Sequence, residues 1–334
     1  MKNKLKNDKT SKDAAIIGVD IGGTNFRIGC VTSAGEISNV KIVPSNFLSR
    51  SGGPATDVLS GFISRYIDEA RVKDIACVSV GLPATIDKTR KIAYSVPNIV
   101  DENGGHVLDG LNIVDSLQSA LGIKTLLDRD TNFLLAYDML MYDIFNEETI
   151  VGCYIGTGFG GSIRIGGKYL IGKNGVANEI GHIPYYKSAL YCACGKKACA
   201  ECYASGRALE LLRRKHYPGT PITDIFEKHG KDQVLIDFVE ACALPVATQA
   251  NIFDPDCIII GGGVVNMRGF PKDRLIEYVL EHTRKPLPFE NLKIIYSHQC
   301  KDMGVIGAAI YAIETLGVGF SKDFTGRIKH YAGN

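Results

Sequence analysis

Residues 14–37 read "AAIIGVDIGGTNFRIGCVTSAGEI", and residues 149–172 read "TIVGCYIGTGFGGSIRIGGKYLIG". Each begins as an apolar strand-like run, breaks at glycines and resumes as a second strand. Ile16, Ile17, Gly18, Ile21 and Gly22 correspond to Ile150, Val151, Gly152, Ile155 and Gly156 at a constant offset of 134 positions (150 minus 16). That period is far too long for a solenoid, so the duplication predicts two domains of related design. Outward from the two hairpins, "IACVSVGLPATID" (75–87) and "DCIIIGGGVV" (256–265) read as buried strands. "VDSLQSALG" (114–122), the segments around 208–214 and 235–253, and "MGVIGAAIYAIETLG" (303–317) read as helices. Alternating strands and helices make this an α/β protein.

The chain has 334 residues with 45% apolar content, enough for two packed cores. A formal charge of +2 with both signs interspersed lacks the basic footprint of a nucleic-acid binder. Residues 1–13 are polar and read as a flexible tail. The apolar run after them is too short for a membrane span and has no signal-peptide pattern, so the expected location is cytoplasmic. Of ten cysteines, Cys30, Cys77, Cys153, Cys242, Cys257 and Cys300 are scattered and read as reduced, mostly buried side chains, while Cys192, Cys194, Cys199 and Cys202 cluster.

"GTGFGG" (156–161) matches the dinucleotide fingerprint G-x-G-x-x-G, but that motif needs a helix directly after the glycines, and "SIRIGGKYLIG" alternates like a strand. A strand–glycine turn–strand unit instead offers backbone N–H groups and close approach to phosphates, although ordinary tight turns have the same spacing. In the first turn Asp20, Thr24 and Arg27 surround Gly22 and Gly23. Asp20, at a strand end beside phosphate donors, suits Mg²⁺, directly or through water; a turn-capping aspartate is the bland reading. In "LLDRDTNFLLAYDML" Asp128 and Asp130 stand just before a helix, where an N-cap is the bland reading and a base for an attacking hydroxyl the functional one. Spacing alone does not rank them.

"NEIGHIPYYKSALYCACGKKACAE" (178–201) supplies His182, Cys192, Cys194 and Cys199 in the order H-x9-C-x-C-x4-C. One imidazole with three thiolates is a closed tetrahedral set for structural zinc, and Cys202 is a bystander. Glu179 and Glu201 flank these ligands, so a bound metal would fix two carboxylates suited to accepting bonds from sugar hydroxyls.

Together "DIGGTNFR", "VGLPATID", "YIGTGFGGSI", "EIGH" with "CACGKKACAE", and "IIIGGGV" resemble the ROK family of sugar kinases and repressors, from about Ala14 to Leu316. The resemblance implies the actin-like ATPase fold, two related α/β domains around a cleft. The small domain would take residues 14–128 plus about 304–334. The large domain would take 129–303 and carry the zinc segment 182–199. It implies Asp130 as general base, and Asn98, Glu179, His182 and Glu201 as sugar contacts. Gly22, Gly23 and Thr24, with Gly156, Thr157 and Gly158, become phosphate loops, and Gly261, Gly262 and Gly263 approach the adenosine. ATP with Mg²⁺, a structural zinc and a homodimer are implied by the same resemblance.

Three positions depart from the family pattern. Ala198 replaces a glycine before the third cysteine, Ala84 replaces the last glycine of a G-x-P-G loop, and Arg129 replaces an asparagine before the base. With "VPNIVDENG" and "HIPYY" these departures resemble the allose kinase branch, with Arg129 in the sugar pocket and the 6-hydroxyl phosphorylated. Glucokinase, fructokinase and N-acetylmannosamine kinase are the alternatives within the family. A non-catalytic sugar sensor is the reading from a different class, and only about thirteen residues precede Ala14, too few for a DNA-binding module.

Overall fold

The run at residues 15–21 forms strand β1 (Ala15–Ile21), buried at six of its seven positions. It turns at Gly22–Thr24 into β2 (Asn25–Thr32), antiparallel in register from Ala15 opposite Thr32 to Ile21 opposite Phe26, and then into β3 (Ile37–Pro44). On the other side β4 (Ile75–Leu82) and β5 (Thr125–Arg129) add in parallel, giving the order β3-β2-β1-β4-β5. The computed structural model describes residues 14–50, 53–185, 189–317 and 319–333. The tail read at 1–13 lies outside them.

Both faces of this sheet are covered, which is why its central strands are apolar without alternation. Leu59, Ile63 and Tyr66 of helix Ala55–Ala70 and Leu117 of helix Ile113–Leu121 join Ile17, Val19 and Ile21 in one core. Helix Met303–Leu316 lies directly on the sheet: a Cβ on Gly18 would stand 2.4 Å from the Val305 carbonyl oxygen. The strand glycines are therefore space for a helix. Helix Phe324–Gly333 is latched alongside, with the Tyr331 hydroxyl donating to Asp302 at 2.5 Å and Arg327 paired with Glu36.

A second sheet repeats the plan with β6 (Thr149–Ile155), β7 (Phe159–Ile165), β8 (Lys168–Tyr169), β9 (Cys257–Gly261) and β10 (Ile294–Tyr296). Its order is β8-β7-β6-β9-β10, with the same pattern of antiparallel and parallel pairs. The 134-residue offset holds at both hairpin strands, Ala15 to Thr149 and Asn25 to Phe159. The segment after "GTGFGG" is strand β7, as its alternation predicts. Val151, Cys153 and Ile155 pack with Phe238, Val239, Cys242 and Val246 of helix Gln233–Phe253.

The chain divides into unit 1, Met1–Met141 with Gln299–Asn334, and unit 2, Tyr142–His298. The boundaries expected at 128/129 and 303/304 need correcting. Helix Asp130–Tyr142 belongs with the first sheet, because Phe133 fills the space left by Gly81 of β4 and its carbonyl abuts Gly307 of the 303–316 helix. All ten cysteines are free; Cys30, Cys77, Cys153, Cys242 and Cys257 are buried and Cys300 is half-buried. Among the described residues no helix is long and apolar enough to cross a membrane.

Candidate functional site

In unit 1 the end of β1 carries Asp20 opposite Arg27 on β2, with Arg27 Nη1 3.5 Å from Asp20 Oδ2. The tip beyond it is tied at its base. The Gly22 N–H donates to the Asn25 carbonyl at 2.8 Å and the Ser45 hydroxyl donates to the Gly22 carbonyl at 2.6 Å, while Gly23 and Thr24 are exposed. Gly23 must be small because Asn98 crosses it: a Cβ there would meet the Asn98 Cβ at 3.0 Å.

Asp20, Gly22, Arg27 and Asp130 line one open cavity of about 500 Å³ together with Leu134, Gln299, Cys300, Lys301, Met303 and Gly304. Asp130 opens helix Asp130–Tyr142 and its Oδ1 accepts the Thr131 N–H at 2.8 Å. Burial, and next the neighbouring Asp130 carboxylate, raise the Asp20 carboxyl to about 6 against the lowering effect of Arg27. Two carboxylates sharing a cavity in this way hold a proton or a cation between them.

Asp128, the other aspartate of the motif, is fully buried. Its Oδ1 accepts from the Arg129 N–H at 2.7 Å and from Asn132 Nδ2 at 2.9 Å, and Arg90 Nε stands 3.5 Å away. Asp128 thus sits inside the strand–helix junction, whereas Asp130 lines the cavity. Arg129, at the end of β5, is 7% exposed. It is not among the residues that line the cavity, and neither are Gly23, Thr24 and Asn98.

In unit 2 the turn Gly156–Gly158 is organised by segments further along the chain. The N–H groups of Gly206 and Arg207, at the start of helix Gly206–His216, donate to the carbonyls of Gly156 and Thr157 at 2.8 and 3.2 Å. The Phe159 N–H donates to Glu201 Oε2 at 2.9 Å, and a Cβ on Gly158 would stand 2.2 Å from that same oxygen. Glu201 is therefore seated on the glycine turn, a contact that the sequence pattern did not reveal. Gly261 packs on Tyr154 and Ser297, and Gly262, with φ +98°, lies 2.4 Å (as a built Cβ) from the Ile155 carbonyl. Both are glycine for close backbone packing, whereas Gly263 faces open space.

One atom from each of His182, Cys192, Cys194 and Cys199 falls within 4.8 Å of the others. His182 Nδ1 is 3.6 Å from Cys192 Sγ, and Cys194 Sγ is 3.6 Å from Cys199 Sγ. Metal–sulfur bonds of about 2.3 Å at tetrahedral angles put sulfurs roughly 3.8 Å apart, so the four groups fit a metal of that geometry. Cys202 is outside the group. The other imidazole nitrogen, Nε2, is 3.6 Å from Glu179 Oε2, and Glu201 Oε1 is 3.9 Å from Cys192 Sγ. Both glutamates therefore contact a residue of the cluster, as their sequence positions suggested. Ala198, just before the third cysteine, adopts φ +60°.

A family model described as the ROK family matches residues 16–315. The chain belongs to the ROK family. Within it, the chain is 26% identical over 326 residues to a glucokinase of Thermotoga maritima, covering 90% of this chain and 98% of that one. It is 29% identical over 295 residues to an N-acetyl-D-glucosamine kinase of Histophilus somni, covering 81% and 88%. The crystal structure of a ROK family glucokinase from Streptomyces griseus in complex with glucose and AMPPNP matches with a TM-score of 0.71 at 25% identity, over 89% of this chain and 98% of that one. The actin-like ATPase fold that the family resemblance implied is the fold observed.

Proposed function

We propose that this ROK protein is an ATP-dependent hexokinase that phosphorylates the 6-hydroxyl of an aldohexose. The observation that carries the reading is the pairing of Asp130 with Asp20 in one cavity while Asp128 is locked in the core. Asp130 takes the proton of the attacking hydroxyl. ATP supplies the phosphoryl group, Asp20 is the carboxylate for its Mg²⁺, and the turns at Gly22–Thr24 and Gly156–Gly158, with Gly263, hold the nucleotide. Asn98, Glu179, His182 and Glu201 are the sugar contacts. The His182, Cys192, Cys194 and Cys199 donor set suits zinc in a structural role, with no open position for chemistry.

D-Allose is the substrate this reading favours. Allose and glucose differ in the orientation of the 3-hydroxyl, and Arg129 brings donors only, with a fixed charge, where an asparagine would offer a donor and an acceptor. Arg129 directly precedes Asp130 in the chain and is 7% exposed, although it does not line the cavity. A mispaired buried hydroxyl costs about 1–3 kcal/mol, so discrimination of about tenfold or more in kcat/KM is expected. The test is ADP formation with D-allose, D-glucose, D-mannose, D-fructose, N-acetylglucosamine and N-acetylmannosamine, for the parent and Arg129→Asn. Equal or better turnover of glucose by the parent removes the allose reading and leaves a general hexokinase. Sugar binding without ADP formation on any sugar supports the sensor instead.

A further inference from the structure

Gln249 sits near the C-terminal end of helix Gln233–Phe253, on the face that buries Cys242, Val246 and Ala250, and is itself only 3% exposed. A primary amide on an apolar helix face loses its hydration unless something in the core repays it. Its partner lies 71 residues away in the chain: Gln249 Nε2 donates to Asn178 Oδ1. Asn178 adopts φ +63°, the left-handed region that asparagine tolerates better than most residues. Room for its amide is made by Gly161 of β7, where a Cβ would stand 2.5 Å from Asn178 Nδ2 and 2.9 Å from the Ile180 side chain.

Asn178 immediately precedes Glu179. On the far side of Glu179, Ile180 is buried in the core of unit 2, the His182 N–H donates to the Glu179 carbonyl at 2.9 Å, and His182 Nε2 faces the Glu179 carboxylate. The backbone that carries Glu179 is therefore held at two points, Ile180 in the core and Asn178 clasped to the long helix. Gln249 itself belongs to neither the cysteine cluster nor the glycine turn.

We infer that Gln249 is a positioning residue for sugar recognition, which sets the aim of Glu179 through the left-handed Asn178. This rests on the reading of Glu179 as a sugar contact. Loss of one buried hydrogen bond at a positioning site is expected to raise the KM for the sugar about five- to tenfold. The KM for ATP should stay within about twofold, since the glycine turns do not depend on the clasp. Gln249→Leu tests this with sugar and ATP varied separately and the metal content of the purified protein measured alongside. If the leucine variant does not fold, Asn178→Gly is the second probe: it removes the acceptor, keeps the left-handed backbone available and is expected to raise the sugar KM at least about threefold. Adding Asn178→Gly to Gln249→Leu should raise the sugar KM little further, because both substitutions remove the same clasp. Glu179→Gln is measured in parallel. A raised sugar KM in Glu179→Gln with an unchanged one in Gln249→Leu, or in Asn178→Gly alone, overturns the inference. An unchanged sugar KM in Glu179→Gln overturns the sugar-contact reading on which it stands.

Discussion

The two hairpin turns, Gly22–Thr24 and Gly156–Gly158, stem from one duplicated design and have been put to different uses. In the first, charged residues stand on the strands themselves, and Asp20 shares its cavity with Asp130. In the second, the corresponding strand positions are the uncharged Tyr154 and Gly161, and the turn is dressed by later parts of the chain: Glu201 on the Phe159 N–H, and the start of helix Gly206–His216 on two carbonyls. A duplicated backbone thus preserves strand order and register, while chemistry comes from what each copy attracts around its turn.

The difference is broken most severely at Asp130. Asp130→Asn keeps size and much of the hydrogen bonding but cannot accept a proton, and turnover should fall about 10²–10⁴-fold with sugar affinity largely kept. Steady-state kinetics with a sugar titration decides this; turnover within threefold of the parent would reassign the base. Removal of the zinc proposed for the cysteine cluster should act on the other region, weakening sugar binding by at least about tenfold and leaving nucleotide affinity nearly unchanged. Elemental analysis followed by separate titrations after chelation checks it, and metal-free protein with full sugar affinity would refute it.

A smaller effect concerns the proton on Asp20. Its folded pKa is raised from 3.8 to about 6, so the native state binds this proton more tightly than the unfolded chain does. Stability from this group is therefore present at low pH and lost as pH rises through about 4 to 6. Asp20→Asn should be more stable than the parent by about 1–3 kcal/mol at pH 7, without added divalent metal or nucleotide, and the gap should close toward pH 4. Paired urea melts across that range measure it; a gap that is constant with pH would mean the carboxyl titrates normally. The smallest effect is at Ala198, held at φ +60° beside the third cysteine. Ala198→Gly should stabilise unit 2 by about 0.5–1 kcal/mol, the left-handed penalty offset in part by the freedom of glycine in the unfolded chain. A lower melting temperature would contradict this.

Much of this was legible in the sequence. Apolar runs ending in glycine located the hairpins, because buried central strands need no alternation, and the His/Cys spacing picked out four side chains that do come together, because residues close in sequence meet through short loops. What spacing could not do was rank Asp128 against Asp130, since both sit at one strand–helix junction and only the burial of Asp128 beside Arg90 and Asn132 separates them. Nor could it join Glu201 to Phe159 or Gln249 to Asn178, contacts across 42 and 71 residues fixed by tertiary packing. A lone glutamine in the apolar stripe of the 233–253 helix was the one local sign of the latter.

Unit 1 is assembled from both ends of the chain, and its sheet is roofed at Gly18 and Gly29 by Val305. During synthesis the strands of unit 1 emerge first but stay uncovered on that face until residues 303–316 leave the ribosome, whereas unit 2, contiguous from 142 to 298, has its full sequence earlier. The domain begun first is the one finished last. A chain released before about residue 316 would expose the glycine-lined face of β1 and β2, so truncated products should aggregate through unit 1 even where unit 2 is native.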